Sequence, residues 1–172
     1  MPIATPARPG GSAAPAAFAV VPRALLVILR VHLGVILMLT VMGKLSRTPP
    51  FADEMLGFLK AMAASGREAP WYQSFIDGVV IPHASLFSYL VITGELTAGI
   101  SLLTGTATRL GGTIALFLFA NYMFAKGRIF WSPDSEDAAV FFSALVVVLG
   151  AAGRVAGVDA LLARRWPRVP IW

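Results

Sequence analysis

The chain has 172 residues, of which 57% are hydrophobic and only 13% charged, and its mean hydropathy is +0.75. Soluble domains carry about 25% charged residues, so this composition excludes an ordinary soluble domain and predicts a single all-α integral membrane domain. The absence of cysteine excludes a disulfide, a thiolate-ligated metal or a thiol relay within the chain. The net charge is +5, and the basic residues lie at predicted helix ends and in loops, where they set the topology. This distribution does not indicate nucleic-acid binding.

Apolar segments divide the chain. Residues 1–22 are rich in Pro, Ala and Gly without periodicity and predict a disordered tail. Apolar segments follow at about 24–43, 81–103, 108–125 and 138–158, each close to the roughly 20 residues that a helix needs to cross a bilayer. They predict a four-transmembrane-helix bundle over residues 23–160, with a basic C-terminal tail over residues 161–172. The link between the second and third segments is so short that these helices should be antiparallel neighbours.

The segment between the first two predicted spans contains a helical pattern. Its apolar side chains recur on one face: Phe51, Met55, Phe58, Leu59 and Met62. This pattern predicts an amphipathic helix at the membrane interface. A second short piece, residues 71–78, follows Pro70 and begins with Trp71 and Tyr72. Interfacial anchoring explains these aromatic residues better than a gate or lid does.

The basic residues divide almost evenly between the two predicted sides of the membrane. Arg164, Arg165 and Arg168 follow the last span closely and tip this balance. The positive-inside rule therefore predicts that both termini are cytoplasmic.

Glu95 is the most informative residue because it lies inside the second apolar segment. A carboxylate near the centre of a span costs about 2.5–3.5 kcal/mol, so it should face protein and have a partner. Arg30 lies inside the first apolar segment. Helical rise places Arg30 roughly 9 Å and Glu95 roughly 15 Å from the same predicted side. We therefore expect Arg30 to pair with Glu95, and we take them as the candidate proton-handling pair.

Further polar groups lie towards the other predicted side of the membrane from Arg30. Lys44 ends the first span, His83 begins the second, and Asn121 lies high in the third. We expect Lys44 to extend to the headgroups and His83 to be an interfacial residue. His32 and His83 lie at different depths, which argues against a bis-histidine haem. No metal site is expected.

Several short patterns carry a resemblance to a known family. They are Arg30-x-x-x-Gly34, Gly43-Lys44-Leu45, Gly94-Glu95-x-x-x-Gly99, Leu102-Leu103-x-Gly105-x-x-x-Arg109, Gly150-x-x-Gly153 and Gly157-Val158-Asp159. In this order, over about residues 29–159, the chain resembles the DoxX family of small bacterial four-helix membrane proteins, which includes DoxD-type subunits. The resemblance implies a multi-pass protein of the bacterial inner membrane.

The same resemblance implies a theme of quinone-coupled oxidation. We expect an accessory or quinone-interacting subunit of a membrane redox complex, with no autonomous catalytic motif and no intrinsic cofactor. Its partners would be the lipid bilayer and other membrane or redox subunits, which would supply the electrons. Quinone is the candidate cofactor, and the candidate polar groups around it are Arg30, Lys44, His83, Glu95 and Asn121.

Two alternatives stay open. In the first, the chain is a purely structural assembly subunit in which a buried Arg30–Glu95 pair fixes helix register. In the second, it is a small-solute or proton transporter, because ionisable residues within the membrane are also typical of transporters. The second is weaker because the sequence shows no inverted repeat or broken span.

Overall fold

The computed structural model describes residues 23–48, 50–166 and 171, and every regular element in this part of the chain is helical. Helix α1 spans Arg23–Leu45, α2 Phe51–Ser65 and α3 Pro70–Phe75. A π-helical turn, Ile76–Val80, and a 3-10 turn, Ile81–His83, lead from α3 into α4, Ala84–Thr104. Helices α5, Thr108–Ala125, and α6, Glu136–Leu149, follow. The short helices α7, Ala152–Val155, and α8, Val158–Arg165, end the described region.

Helices α1, α4, α5 and α6 form a bundle in which each packs against the next and α6 closes against α1. The centre of the bundle is a fully buried apolar cluster: Leu33, Leu37, Ala98, Leu102, Ala115, Ala144, Val147 and Ala152. Glycines allow the helices to approach closely, since a Cβ on Gly34 would lie 2.8 Å from the Leu103 side chain. Small residues at helix contacts are the usual means of close packing in membrane bundles.

Within the described residues, two helical stretches are long and apolar enough to cross a membrane. They are Arg23–Leu45 and Pro70–Thr104. Their exposed side chains are largely apolar, as Leu39 at 61% and Leu86 at 55% exposure illustrate. The structure therefore confirms a helical protein with two stretches that could span a membrane, while the four-span bundle stays a prediction.

Several sequence-based boundaries are confirmed. Helix α5 has the predicted bounds, and α4 and α5 are neighbours joined by a tight turn in which Gly105 has φ +68°. The stripe between the first two spans forms α2, whose buried Leu59 packs with Tyr72 and Ile76. The location of α2 at a membrane surface stays a prediction. The predicted tail over residues 1–22 lies outside the described residues, as do residues 167–170 and 172.

Two boundary predictions are wrong. The piece over residues 71–78 is not separate, because helical turns run without a break from Pro70 into α4 and bury Tyr72, Ile76 and Val80 on one side. The continuous helix predicted over residues 138–158 ends at Leu149. Ala151 takes a left-handed conformation, with φ +46°, that ends the helix. The predicted basic tail also begins as helix, since α8 extends to Arg165.

Candidate functional site

Glu95 lies on α4 with 1% of its surface exposed and contacts side chains from two other helices. Its Oε1 atom accepts a hydrogen bond from Lys44 Nζ of α1 at 2.5 Å and another from the Tyr122 hydroxyl of α5 at 2.7 Å. A carboxylate, an ammonium group and a phenol thus meet on three helices, and we call them the Lys44–Glu95–Tyr122 cluster. Charge-assisted hydrogen bonds of this kind are about twice as strong as neutral ones.

Lys44 lies in the last turn of α1 and turns inward. Its side chain is only 15% exposed. The ammonium group lies 4.8 Å from the centre of the Phe51 ring and 5.5 Å from that of Tyr122. Both distances are within the range of a cation–π interaction. Phe51 is the first residue of α2, so the start of α2 covers the cluster.

The second oxygen of Glu95 has a different environment from the first. Oε2 is buried and has no hydrogen-bond partner among the residues that the structure describes. Buried polar atoms without a partner are rare in folded proteins and often mark a functional site. This oxygen can receive a proton, or a hydrogen bond from a ligand, without displacing Lys44 or Tyr122.

The predicted pairing of Arg30 with Glu95 is wrong. The Arg30 guanidinium lies at the other end of the bundle, wedged between Gly105 and Gly157. Gly105 follows Glu95 by ten residues of helix, or roughly 15 Å. The depth estimate failed because it assumed that α1 starts level with the α4–α5 turn. In the structure α1 extends past that turn and packs against α7.

Arg30 instead belongs to a second buried group that includes Asp159. Asp159 is fully buried, and its carboxylate accepts hydrogen bonds from the backbone amides of Ala107 at 2.6 Å and Thr108 at 2.8 Å, at the start of α5. The Asp159 amide donates to the Gly105 carbonyl at 2.8 Å. The Arg30 guanidinium lies near Asp159, but its Nε and Nη1 atoms are buried without a hydrogen-bond partner among the described residues. We call this group the Arg30–Asp159 cluster.

The other two candidate polar groups lie apart from Glu95. Asn121 accepts hydrogen bonds from the Tyr72 hydroxyl at its carbonyl oxygen, 3.1 Å, and at its side-chain oxygen, 3.3 Å. His83 is exposed, and its Nδ1 atom lies 3.0 Å from the Val79 carbonyl oxygen. Of the five candidates, the structure brings together only Lys44 and Glu95.

Sequence reasoning did not assign a role to Tyr122 or Asp159. Asp159 stands in the Gly157-Val158-Asp159 pattern, so its position in a recurring motif was a usable signal. Tyr122 gave no signal beyond its presence in an apolar helix. Only the rotation of α5 about its axis decides that Tyr122 faces Glu95 while its neighbour Asn121 faces Tyr72.

A polar cleft of about 200 Å³ opens where α5 ends and α6 begins. It is lined by Met62, Arg67, Lys126, Arg128, Asp134, Ser135, Glu136 and Asp137. Two ion pairs line this cleft: Lys126 with Asp137, at 2.7 Å, and Arg128 with Asp134. The Asp137 side chain is 11% exposed and that of Asp134 is 54% exposed, so the two carboxylates differ in how deeply they reach into the protein.

Glu68 is a further buried carboxylate, in the loop between α2 and α3. It is 6% exposed, and within the described part of the chain neither carboxylate oxygen has a hydrogen-bond partner. Burial raises the pKa of Glu68 above its usual value, and the nearby negative charge of Asp77 raises it further.

Comparison with known proteins identifies one family. The family model described as DoxX matches residues 25–127, which contain most of α1 and all of α2 to α5. The matched region includes all three members of the Lys44–Glu95–Tyr122 cluster, whereas Asp159 lies beyond it. No curated protein and no solved structure matches the chain.

Proposed function

Because the chain belongs to the DoxX family, we propose that it is a quinone-interacting accessory subunit of a membrane redox complex, with the Lys44–Glu95–Tyr122 cluster as its proton-handling site. The observation that carries this proposal is the buried Glu95 carboxylate, which has one oxygen bound by an ammonium group and a phenol and the other without a partner. A general acid or base needs such a titratable group within hydrogen-bond reach of the atom it serves.

The residues of the cluster fit a quinone by their chemistry. A quinone carbonyl requires hydrogen-bond donors, and a quinol hydroxyl requires an acceptor. When Glu95 carries a proton on Oε2 it is a donor, and when it is ionised the same oxygen is an acceptor. Bound quinone would supply two-electron chemistry coupled to two protons, with the electrons coming from a partner subunit.

Lys44 and Tyr122 position the carboxylate. Both bond to Oε1, which leaves Oε2 without a partner among the described residues. Lys44 is also held by the Phe51 ring, so movement at the start of α2 would change the charge environment of Glu95.

A second candidate function has its own observation. The cluster joins α1, α4 and α5 through one carboxylate, which is what a purely structural subunit would need to fix helix register. Buried polar groups can specify a unique packing arrangement even when they add little stability. In this role Glu95 would exchange no proton with a ligand.

Quinone binding to the purified full chain distinguishes the two functions. Decyl-ubiquinone, titrated in mild detergent and followed by quenching of tryptophan fluorescence, should bind the wild type, and Glu95→Gln should weaken binding at least tenfold. The matched control is Glu54→Gln, which neutralises a carboxylate of an exposed ion pair with Arg47. The yield of monodisperse protein is recorded for each variant.

Each outcome has a defined meaning. Weaker binding with an unchanged yield supports the redox role. Equal binding by the wild type and Glu95→Gln contradicts it. A fall in yield of Glu95→Gln, reversed by adding Lys44→Met, identifies the cluster as a packing element, because the second change removes the unpaired ammonium group.

A further inference from the structure

Building on the proposed proton-handling role of Glu95, we propose that its proton enters from the cleft at the α5–α6 end, through Asp137 and Tyr122. Lys126 holds the Asp137 carboxylate in place for this transfer. The route would make Asp137 and Tyr122 positioning and relay residues for a site that lies deeper in the bundle.

Two of the groups along this route lie on one face of α5. Tyr122 and Lys126 are four residues apart, so their side chains project from the same side of the helix. The Tyr122 hydroxyl donates to Glu95 at 2.7 Å, and Lys126 Nζ donates to Asp137 at 2.7 Å. Asp137 lies in the first turn of α6. From the core outward, the groups are therefore the Glu95 carboxylate, the Tyr122 phenol, the Asp137 carboxylate and the Lys126 ammonium group.

Exposure is lowest at the inner end of this order and highest at the outer end, and Tyr122 between them is partly exposed. The side chain of Glu95 is 2% exposed, that of Asp137 is 11% exposed and that of Lys126 is 44% exposed. Lys126 and Asp137 both line the cleft of about 200 Å³, which is large enough to hold several water molecules. Bulk water can therefore supply a proton at the outer end of the route, whereas it is excluded from the inner end.

The opposite direction offers no comparable path. Below Glu95 the bundle is filled by Leu37, Ala98 and Leu102, each fully buried. The charged and titratable groups that face the route are Lys44 from α1, Tyr122 and Lys126 from α5, Asp137 from α6, and the cleft residues Arg67, Arg128, Asp134 and Glu136. Lys44, with 15% of its side chain exposed beside Phe51, marks the competing entrance.

The transfer moves one proton and no electrons. A hydronium ion in the cleft gives a proton to the Asp137 carboxylate and becomes water. Asp137 returns that proton, through a bridging water, to the phenolic oxygen of Tyr122 as the original Tyr122 proton passes to Glu95. Only O–H bonds form and break, Asp137 and Tyr122 end as they began, and Glu95 gains the proton. Loss of its charge then weakens the ion pair with Lys44.

The rate of Glu95 protonation after a rapid drop in pH tests the route. Time-resolved infrared spectroscopy of the full chain in detergent follows the C=O band of the protonated carboxyl, which is assigned by its loss in Glu95→Gln. Asp137→Asn should slow the appearance of this band at least tenfold, and Asp137→Glu should restore most of the rate. Asp134→Asn is the matched control, because it removes the other carboxylate of the same cleft and should leave the rate unchanged.

Other results would overturn the proposal. An unchanged rate in Asp137→Asn rules out the route, and a faster rate in Phe51→Ala would then identify the Lys44 side as the entrance. Equal slowing by Asp137→Asn and Asp134→Asn would show only a general effect of cleft charge. If the wild type shows no Glu95 band at any pH, the proposed function fails together with the route. Should Asp137→Asn fail to fold, Tyr122→Phe tests the same path, with at least tenfold slowing expected and an unchanged rate overturning it.

Discussion

The two buried ionic clusters of the bundle contain similar side chains in opposite settings. In the Arg30–Asp159 cluster, both carboxylate oxygens are bonded to backbone amides, and the guanidinium is wedged between glycines with Nε and Nη1 unbonded among the described residues. In the Lys44–Glu95–Tyr122 cluster, the carboxylate is bonded only to side chains, and Oε2 has no partner in the described part of the chain. The carboxylate of the first cluster is therefore held by the backbone, whereas that of the second is held by side chains alone.

This difference separates a carboxylate that the backbone holds from one that only side chains hold. Backbone amides at the start of α5 cannot be released unless the α4–α5 turn rearranges, so Asp159 is expected to stay fixed in place. Glu95 has no such constraint. The backbone-held carboxylate lies at one end of the bundle, and the proposed proton-handling group lies nearer the other.

The largest effect is expected at the Arg30–Asp159 cluster. Asp159→Ala should lower the free energy of unfolding by about 3–5 kcal/mol, because it leaves a buried guanidinium without its counter-charge and removes the acceptor for two amides. Thermal unfolding in detergent measures the loss, with Asp134→Ala at an exposed carboxylate as the control. A melting temperature equal to that of the wild type would show that Asp159 is not a structural residue.

A smaller loss is expected when the second cluster loses its cation. Lys44→Met should cost about 3 kcal/mol, since Glu95 then lies buried without a partner charge. The double variant Lys44→Met/Glu95→Gln should recover at least half of that loss. Arg47→Met breaks the exposed pair with Glu54 and should change stability by less than about 1 kcal/mol. If the losses in free energy of unfolding for Lys44→Met and Glu95→Gln simply add in the double variant, the two side chains are not energetically coupled.

Removal of a single phenolic hydroxyl should be less costly. Tyr122→Phe deletes a hydrogen bond to a carboxylate and should cost about 2 kcal/mol, whereas Tyr72→Phe deletes bonds to the neutral Asn121 and should cost about 1 kcal/mol. Chemical unfolding of the two variants under identical conditions gives the comparison. A larger loss in Tyr72→Phe would contradict the stronger bond expected between Tyr122 and Glu95.

The smallest effect depends on pH and concerns Glu68. Because the pKa of Glu68 is raised in the folded protein, its contribution to stability is full below the unfolded pKa of about 4.3 and is lost as the pH rises through the folded pKa. Glu68→Gln should therefore raise stability by about 1 kcal/mol at pH 8 and by nothing at pH 4. Melting curves at both values test this, with the exposed Asp53→Asn as the control. A gain in stability of equal size at both pH values would contradict a raised pKa of Glu68 in the folded protein.

Local patterns in the sequence were sufficient to predict much of the fold. The apolar stripe gave α2, and the glycine-containing turn gave the α4–α5 pair. The break after Leu149 was not predictable in the same way, because residues 150–157 contain only small, apolar and basic residues and no proline. Contacts between distant elements decide it: Gly150 packs against Leu26, and Gly153 packs against Thr108 and Asp159.

The site was predictable in part for a related reason. Hydropathy identifies an out-of-place carboxylate, so Glu95 was found correctly as a buried group. The choice between Arg30 and Lys44 as its partner depends on how far α1 extends beyond the α4–α5 turn, which no local pattern encodes. The part of the cluster contributed by Tyr122 depends on helix rotation and was missed entirely.

The distance along the chain between Arg30 and Asp159 bears on how the protein is made. Arg30 leaves the ribosome long before Asp159, and domains form from the N-terminus onward during synthesis. Until α8 emerges, the nascent bundle carries the Arg30 guanidinium without the Asp159 carboxylate beside it. A chain interrupted before α8 would keep that imbalance and would also leave the amides of Ala107 and Thr108 without their acceptor.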